Sequence, residues 1–288
     1  MAVTVRPISD DDLAGVAEFL HARLNESVPA AAWARAFTPP WTFDQPNHGF
    51  MLVDDAAGEI VGAYAALYSE RTIEDRQERI CNLAAWCVRE DQRFHSLRLL
   101  KALLAQEGYT FTDLSPSGNV VPLNTRLGFT ELDPTTVLVP ALPWPPRPGV
   151  RVSSDPDVVV ATLSGDERDV YRDHVGLAAA RHLVVTDGDR SCWVVFRMDR
   201  RKKLPPVFAS ILHVSDQDVF RRRVRAVGGH LLFHHRAAGL LAERRVTGPL
   251  DVWPRVTLRA PRRKMFLGTT MGVDEVDYFY SELMCLSW

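Results

Sequence analysis

Between Trp86 and Phe129 the sequence places groups able to hold an anion and to move a proton close together in the chain. An apolar run ends in Trp86-Cys87-Val88 and gives way to the turn Arg89-Glu90-Asp91-Gln92-Arg93-Phe94-His95-Ser96. An amphipathic helix follows from Leu97 to Gln106. A strand feeding straight into a helix leaves several backbone N–H groups with no intrahelical partner, and these converge on one point. That arrangement suits a pyrophosphate. His95 lies in the same turn, where ligand contact and a solvent-facing position both remain open.

Further along, a strand from Tyr109 to Leu114 meets Ser115-Pro116-Ser117-Gly118-Asn119. A short helix then runs to Arg126 and ends in Leu127-Gly128-Phe129. Asp113 sits at the C-terminal end of that strand, where open sheets place their sites. It is the leading carboxylate for proton transfer, the alternative being a turn cap. Asn119 reads as a helix N-cap and as a ligand contact. Glu78 and Glu90 flank the preceding strand, and Glu90 and Asp91 read as surface or cap residues. Cys87 is placed where a nucleophile could stand. No His-plus-acid pattern supports it, and a buried strand thiol is the commoner case. His230 and His234 have i, i+4 spacing beside His235, yet no acid separates them and Gly228-Gly229 weakens a helix there. No metal is expected.

These groups need a scaffold, and the chain is long enough to build one. It has 288 residues, 46% of them hydrophobic, with a net charge of −2. That bounds it at two ordinary domains or one large one. The balanced charge argues against nucleic-acid and membrane partners. The basic run Arg200-Arg201-Lys202-Lys203 reads as a solvated turn, and Arg221-Arg222-Arg223 as a charged helix face. Four scattered cysteines, Cys81, Cys87, Cys192 and Cys285, fit reduced thiols in a cytoplasmic protein.

The first part reads as alternating elements. Strand Val3–Pro7 leads into a helix capped by Ser9 and Asp10-Asp11-Asp12, with a second helix from Ala30 to Phe37. Strands follow at Phe50–Val53, Ile60–Tyr68 and Arg79–Val88, then the stretch above, then a strand Thr136–Val139. Residues 1–140 form one expected domain. Residues 141–149, with Pro143, Pro145, Pro146 and Pro148, form a stiff linker. Residues 150–288 form a second domain. There Val158–Thr162 reads as a strand, Ser164 and Glu167 as a capping box, and Leu183–Val185, Cys192–Phe196 and Phe208–Val214 as strands. A helix runs from Ser215-Asp216 to Val227, and Val276–Trp288 reads as a closing strand. The element order of the two halves is alike. The fold class is mixed α+β.

The first half resembles the GNAT acyltransferase superfamily. The likeness rests on Val5-Arg6-Pro7, Val61-Gly62, the strand ending in Val88, and Leu127-Gly128-Phe129. It covers about residues 3 to 140. In the family's phosphate loop Arg93 matches, Ser96 replaces the first small residue, and Arg98 replaces the second. The resemblance implies a central mixed sheet flanked by helices in each half, with the second half lacking its own CoA site because Ser215-Asp216-Gln217-Asp218 would repel phosphate. It implies acetyl-CoA or another acyl-CoA as co-substrate. Trp86, Cys87 and Val88 would meet the pantetheine, and Arg93, Phe94, His95, Ser96, Leu97 and Arg98 the pyrophosphate, with Asn119 and Asn124 nearby. Arg98 would either reach a phosphate or crowd the ligand.

The family often carries a Tyr as general acid where this chain has Asn124, which donates no proton at a useful pKa. Asp113, Ser115 and Asn124 are therefore the candidate catalytic residues. The implied partner is a small-molecule amine such as an amino sugar, taken beside the loop Thr38–His48, and a homodimer is compatible. The implied reaction is direct acyl transfer; the alternative is a non-catalytic acyl-CoA-binding or scaffold protein.

Overall fold

Apolar residues alternate or run together along long segments of the first half, and those segments pair into one sheet. The computed structural model describes residues 2–200 and 207–287, so Arg201-Lys202-Lys203 of the basic run and Trp288 lie outside the described residues. In chain order the first half contains β1 (Val3–Pro7), α1 (Leu13–Arg23), α2 (Ala30–Ala36), β2 (Gly49–Asp54), β3 (Glu59–Ile73) and β4 (Arg76–Val88). A 3-10 turn, Glu90–His95, runs into α3 (Ser96–Leu104). Then come β5 (Thr110–Asp113), α4 (Val121–Arg126), β6 (Thr130–Glu131) and β7 (Thr136–Pro140). The second half contains β8 (Val150–Ser153), α5 (Pro156–Thr162), α6 (Asp166–His174), β9 (Arg181–Asp187), β10 (Arg190–Arg200), β11 (Val207–Val214), α7 (Gln217–His235), β12 (Ala237–Glu243) and α8 (Arg244–Thr247). It closes with β13 (Val256–Thr257), β14 (Met265–Leu267) and α9 (Glu282–Cys285).

Two seven-stranded mixed sheets result, in the orders β1-β2-β3-β4-β5-β14-β6 and β13-β7-β12-β11-β10-β9-β8. The halves trade strands. β7, expected with the first half, pairs antiparallel with β12 of the second. β14 crosses the other way and pairs with β5 and β6. The Pro-rich segment therefore follows a strand already committed to the second sheet.

Several local expectations yield to the structure. Residues 158–162 belong to helix α5 rather than a strand. Asp155 caps it by accepting from the Asp157 N–H, and Pro156 opens its first turn, outweighing the β-branched valines. Gly165 at φ 52, not Ser164, is the N-cap of α6. α7 runs through Gly228-Gly229 to His235; both glycines are buried, where a Cβ would press on Leu240 or Trp144, so tertiary packing overrides their low helix propensity. The described part of the expected closing strand, residues 276–287, forms no strand and is the aromatic segment around α9. β3 and β4 extend beyond their expected limits to a tight turn at Glu74-Asp75, where both residues take positive φ, 47 and 65.

One apolar core spans both halves, joining Leu20, Trp33 and Phe37 to Trp193, Leu212, Phe279 and Leu286. At its edge Arg71 Nη1 and Nη2 donate to the two Asp277 oxygens, both at 2.7 Å. His174 Nε2 accepts from the Tyr280 N–H at 2.9 Å while Nδ1 faces the Val170 carbonyl. No helix among the described residues is long and apolar enough to cross a membrane.

Arg71 anchors the C-terminal segment, so Arg71→Met strands the Asp277 carboxylate. About a third of that side chain faces solvent. The expected loss is therefore about 2–3 kcal/mol, below the 3–5 kcal/mol of a fully buried pair. Urea denaturation measures it, and an unchanged midpoint would show that the pair holds nothing together.

Candidate functional site

The site begins where two strands part. β4 and β5 pair in parallel at Ile80↔Thr110, Cys81↔Phe111 and Asn82↔Thr112. β5 then ends at Asp113, while β4 continues to Val88 and stays paired with β3 as far as Gly62↔Val88. From Leu83 onward the other edge of β4 has no strand beside it, so its peptide groups face a cleft. The cleft has a volume of about 1570 Å³, and Tyr64, Trp86, Cys87, Ser96, Asp113 and Ser115 line it. Asn82, 1% exposed, holds the fork. Its Nδ2 donates to Thr112 Oγ1 at 3.0 Å, and its Oδ1 accepts from the Glu282 backbone N–H at 3.0 Å.

At one end of the cleft lies the turn Glu90–His95 with the start of α3. Neither carries a side-chain cap. In contrast, Asp216 caps α7 in the second half by accepting from the Val219 N–H and pairs with Arg190. The α3 start thus carries no side-chain cap to block an anion, although its Ser96 N–H is bonded to the Arg93 carbonyl. The matching end of α7 is filled by its own carboxylate, and α8 packs against β11.

Of the expected ligand contacts, Trp86, Cys87, Val88, Arg93, Ser96 and Asn119 line the cleft. Phe94, His95, Leu97 and Arg98 do not. Phe94 is 75% exposed and lies against the His95 ring. Arg98 turns back to donate to the Val3 carbonyl at 2.7 Å, so it neither reaches for a phosphate nor crowds the turn. Glu90 and Asp91 are exposed and pair with Arg93 and Arg89. The loop Thr38–His48 does not wall the cleft. Its Trp41 is buried in the core between the halves, donating to the Tyr68 carbonyl at 2.9 Å. Arg23 at the end of α1, Asn25 just beyond it and Trp33 on α2 stand there instead.

The inner end of the cleft gathers proton-transfer groups. Asp113 is almost fully buried, and desolvation pushes its carboxyl from 3.8 up to about 7, against the opposing hydrogen bond from Asn124 Nδ2 to Oδ2 at 2.8 Å. Asn124 is 0% exposed and lies behind Asp113, not in the cleft wall. Ser115 Oγ donates to Glu282 Oε1 at 2.6 Å. Glu282 is 0% exposed, its Oε2 has no partner, and burial, with the charge of Asp113, pushes it from 4.5 up to about 7. The structure therefore brings Asp113, Ser115 and Asn124 together.

Sequence reasoning missed Glu282, Tyr64, Trp33 and Arg262. Glu282 carried a signal: a carboxylate among apolar and aromatic neighbours is costly unless it has a task. Tyr64 faces Trp86 across the β3–β4 pair and stacks on it at 4.6 Å. The indole N–H groups of Trp33 and Trp86 are buried without partners on residues that line the cleft. His230 is turned to Ser154 Oγ at 2.8 Å, and no His, Cys, Asp or Glu group fit for a metal occurs among the described residues.

No family model matches the chain, and no curated protein matches it. Solved structures do match. A GCN5-related N-acetyltransferase from Anabaena variabilis superposes with a TM-score of 0.58 at 10% identity, covering 92% of this chain and 72% of that one. One from Kribbella flavida gives 0.54 at 14% identity, covering 92% and 70%. The N-myristoyltransferase of Saccharomyces cerevisiae, solved with bound myristoyl-CoA, gives 0.52 at 12% identity, covering 92% and 79%. The fold is that of the GCN5-related N-acetyltransferases, repeated in two halves.

Two measurements probe this region. Asn82→Val leaves the Glu282 N–H and Thr112 Oγ1 without their partner, at about 1–3 kcal/mol for each buried group; a urea midpoint equal to wild type would refute the fork as a stabilising junction. The second is stability against pH. Asp113 and Glu282 keep protons in the folded chain up to about pH 7 that the unfolded chain releases near 4. Folded protein binds more protons over that window, so stability falls as pH rises through it. His174, His182, His213 and His230, lowered to about 4 by burial, and His235, lowered by the same cause, act oppositely, and their effect persists somewhat above pH 6.5 because the unfolded imidazoles still bind protons there. Comparison with Asp113→Asn isolates the carboxyl. The melting temperature of that variant relative to wild type should rise between about pH 6 and 8; equal slopes would remove Asp113 as a contributor.

Proposed function

We propose that the chain is an acyltransferase that moves an acyl group, most simply acetyl, from acyl-CoA to the amine of a small molecule. One observation carries this reading: the unpaired edge of β4 faces a cleft that opens onto an uncapped helix start. The free peptide groups of Leu83–Val88 match the two amides of a pantetheine arm, which pair as a strand would. The turn and the start of α3, free of a side-chain cap, present their positive end to the pyrophosphate, and Arg93 can leave the exposed Glu90 for it. The unpartnered Trp86 N–H offers one further donor.

Amine attack on a thioester needs the neutral amine, so a base must take a proton from the ammonium form. Asp113 suits that task, since its value near 7 leaves a large ionised fraction at neutral pH and a strong enough pull on the proton. Asn124 orients the carboxylate through its Nδ2. As the tetrahedral intermediate forms, a peptide N–H on the Trp86–Val88 edge meets the oxyanion. The leaving thiolate, with a pKa of about 8.5, needs little help, and Ser115 on β5's extension is a hydroxyl that lines the cleft. An amine with polar substituents, an amino sugar among them, fits the wall made by Arg23, Asn25 and Arg262. The second half lacks the open helix start and serves to complete the first.

The Asn at position 124 favours a second reading, acyl-CoA binding without turnover. The two separate cleanly. Acetyl-CoA should raise the melting temperature, by mass action on the folded state, and an amine panel should release free thiol. Binding without release would establish the second reading, and no thermal shift would exclude both. Ser96→Glu, which puts an anion at the helix start, should weaken acetyl-CoA binding about tenfold or more, a loss of roughly 1.4 kcal/mol or above.

A further inference from the structure

Glu282 has no task in the reaction as written, yet it is fully buried at the inner end of the site. A fully buried carboxyl with one oxygen unpartnered is destabilising unless something uses it. It comes from the C-terminal segment, more than a hundred residues away in sequence from the cleft it serves, and is held by its own backbone N–H on Asn82 Oδ1. Its Oε1 meets only one group that also lines the cleft, Ser115. Resting on the acyl-transfer reading, we propose that Glu282 supplies, through the Ser115 hydroxyl, the proton that the leaving thiolate takes up.

The groups facing Glu282 fix its state. Asp113 approaches from β5, Tyr64 from β3, Arg197 from β10 and Cys285 from its own turn. Two buried carboxyls near one another do not both ionise easily, and the pair titrates in two coupled steps. With Asp113 ionised as the base, its charge holds the proton on Glu282. The site then enters the reaction with one carboxylate and one carboxylic acid, the pairing that acid–base catalysis requires.

The protons balance. Asp113 takes one from the ammonium group, and the neutral amine forms the C–N bond. When the C–S bond breaks, the sulfur takes the Ser115 Oγ proton and Ser115 regains one from Glu282. The proton shed by the new amide nitrogen returns to Glu282 by the same hydroxyl. Asp113 releases its proton to solvent. Glu282 touches no substrate; it acts by way of Ser115. The tyrosine that the family resemblance would place at 124 is thereby replaced by a hydroxyl and a carboxyl contributed by different halves of the chain.

The test is the pH profile of kcat with acetyl-CoA and an accepting amine, measured on the full chain. Wild type should lose rate above the pH at which Glu282 gives up its proton, about 7. Glu282→Gln should lower kcat about 10- to 100-fold and abolish that alkaline limb, with the KM for acetyl-CoA unchanged. Glu282→Asp should restore part of it. Ser115→Ala should match Glu282→Gln, and the double variant should lose no more than either, since the two act as one unit. If Glu282→Gln fails to fold, Ser115→Ala, at a half-buried position, carries the test alone. A retained alkaline limb, or losses that multiply in the double variant, overturns the proposal. A wild-type chain that binds acetyl-CoA but releases no thiol overturns the transfer reading itself.

Discussion

Asn82 stands at the last rung shared by β4 and β5 and ties three segments at once. Its amide donates to Thr112 and its carbonyl receives the backbone of Glu282. An apolar residue there could still fill the core but could bind neither strand end nor tail. Because the strands part beyond it, the backbone of β4 keeps hydrogen-bonding capacity that no other strand satisfies. A folded protein tolerates such an edge only where water or a ligand serves it. The same residue that permits the gap also delivers the C-terminal carboxyl to its inner end.

The exchanged strands give this fork its rigidity. β14 from the end of the chain lies between β5 and β6, and β7 from the middle lies in the second sheet. Neither half completes its sheet alone, so the arrangement behaves as one unit with a continuous core. The second half has the matching strand and helix but closes its own helix start with Asp216. Loss of one anion site leaves a scaffold whose contribution is positional. It holds the segment that carries Asp277 onto Arg71 and, a few residues on, Glu282 onto Ser115.

Local patterns in the sequence carry local information, and their reach shows in what was legible. The strand-turn-helix at Trp86 to Leu104 was readable because apolar periodicity changes from two to 3.6 across a polar turn. The Leu127-Gly128-Phe129 ending was readable because Gly128 takes a positive φ of 90 that closes α4. The destination of a strand is not local. Thr136–Pro140 has the composition of any strand, and only tertiary pairing sends it to the second sheet. Likewise the valines at 158–160 favour a strand, and the Asp155 cap with Pro156 decides for a helix. Glu282 lay in the tail read as a closing strand, and its target 167 residues away was not legible.

Asn124 shows how one substitution moves chemistry rather than removing it. At 0% exposure it sits behind Asp113, and its amide stabilises the ionised form that burial opposes. A phenol at that place would compete for the same carboxylate and would have to displace it to enter the cleft. With the amide there, the acid side of the proposed reaction must come from a different direction. The only other buried carboxyl bonded to a cleft residue at that end, among the described residues, arrives on the tail. Desolvation raises both carboxyls to similar values, and each accepts a hydrogen bond on its charged form, Asp113 from Asn124 and Glu282 from Ser115. The charge of Asp113 adds to the rise at Glu282, which also keeps one oxygen bare, and the proposed reaction uses that difference: the ionised state falls to the first half and the proton to the second.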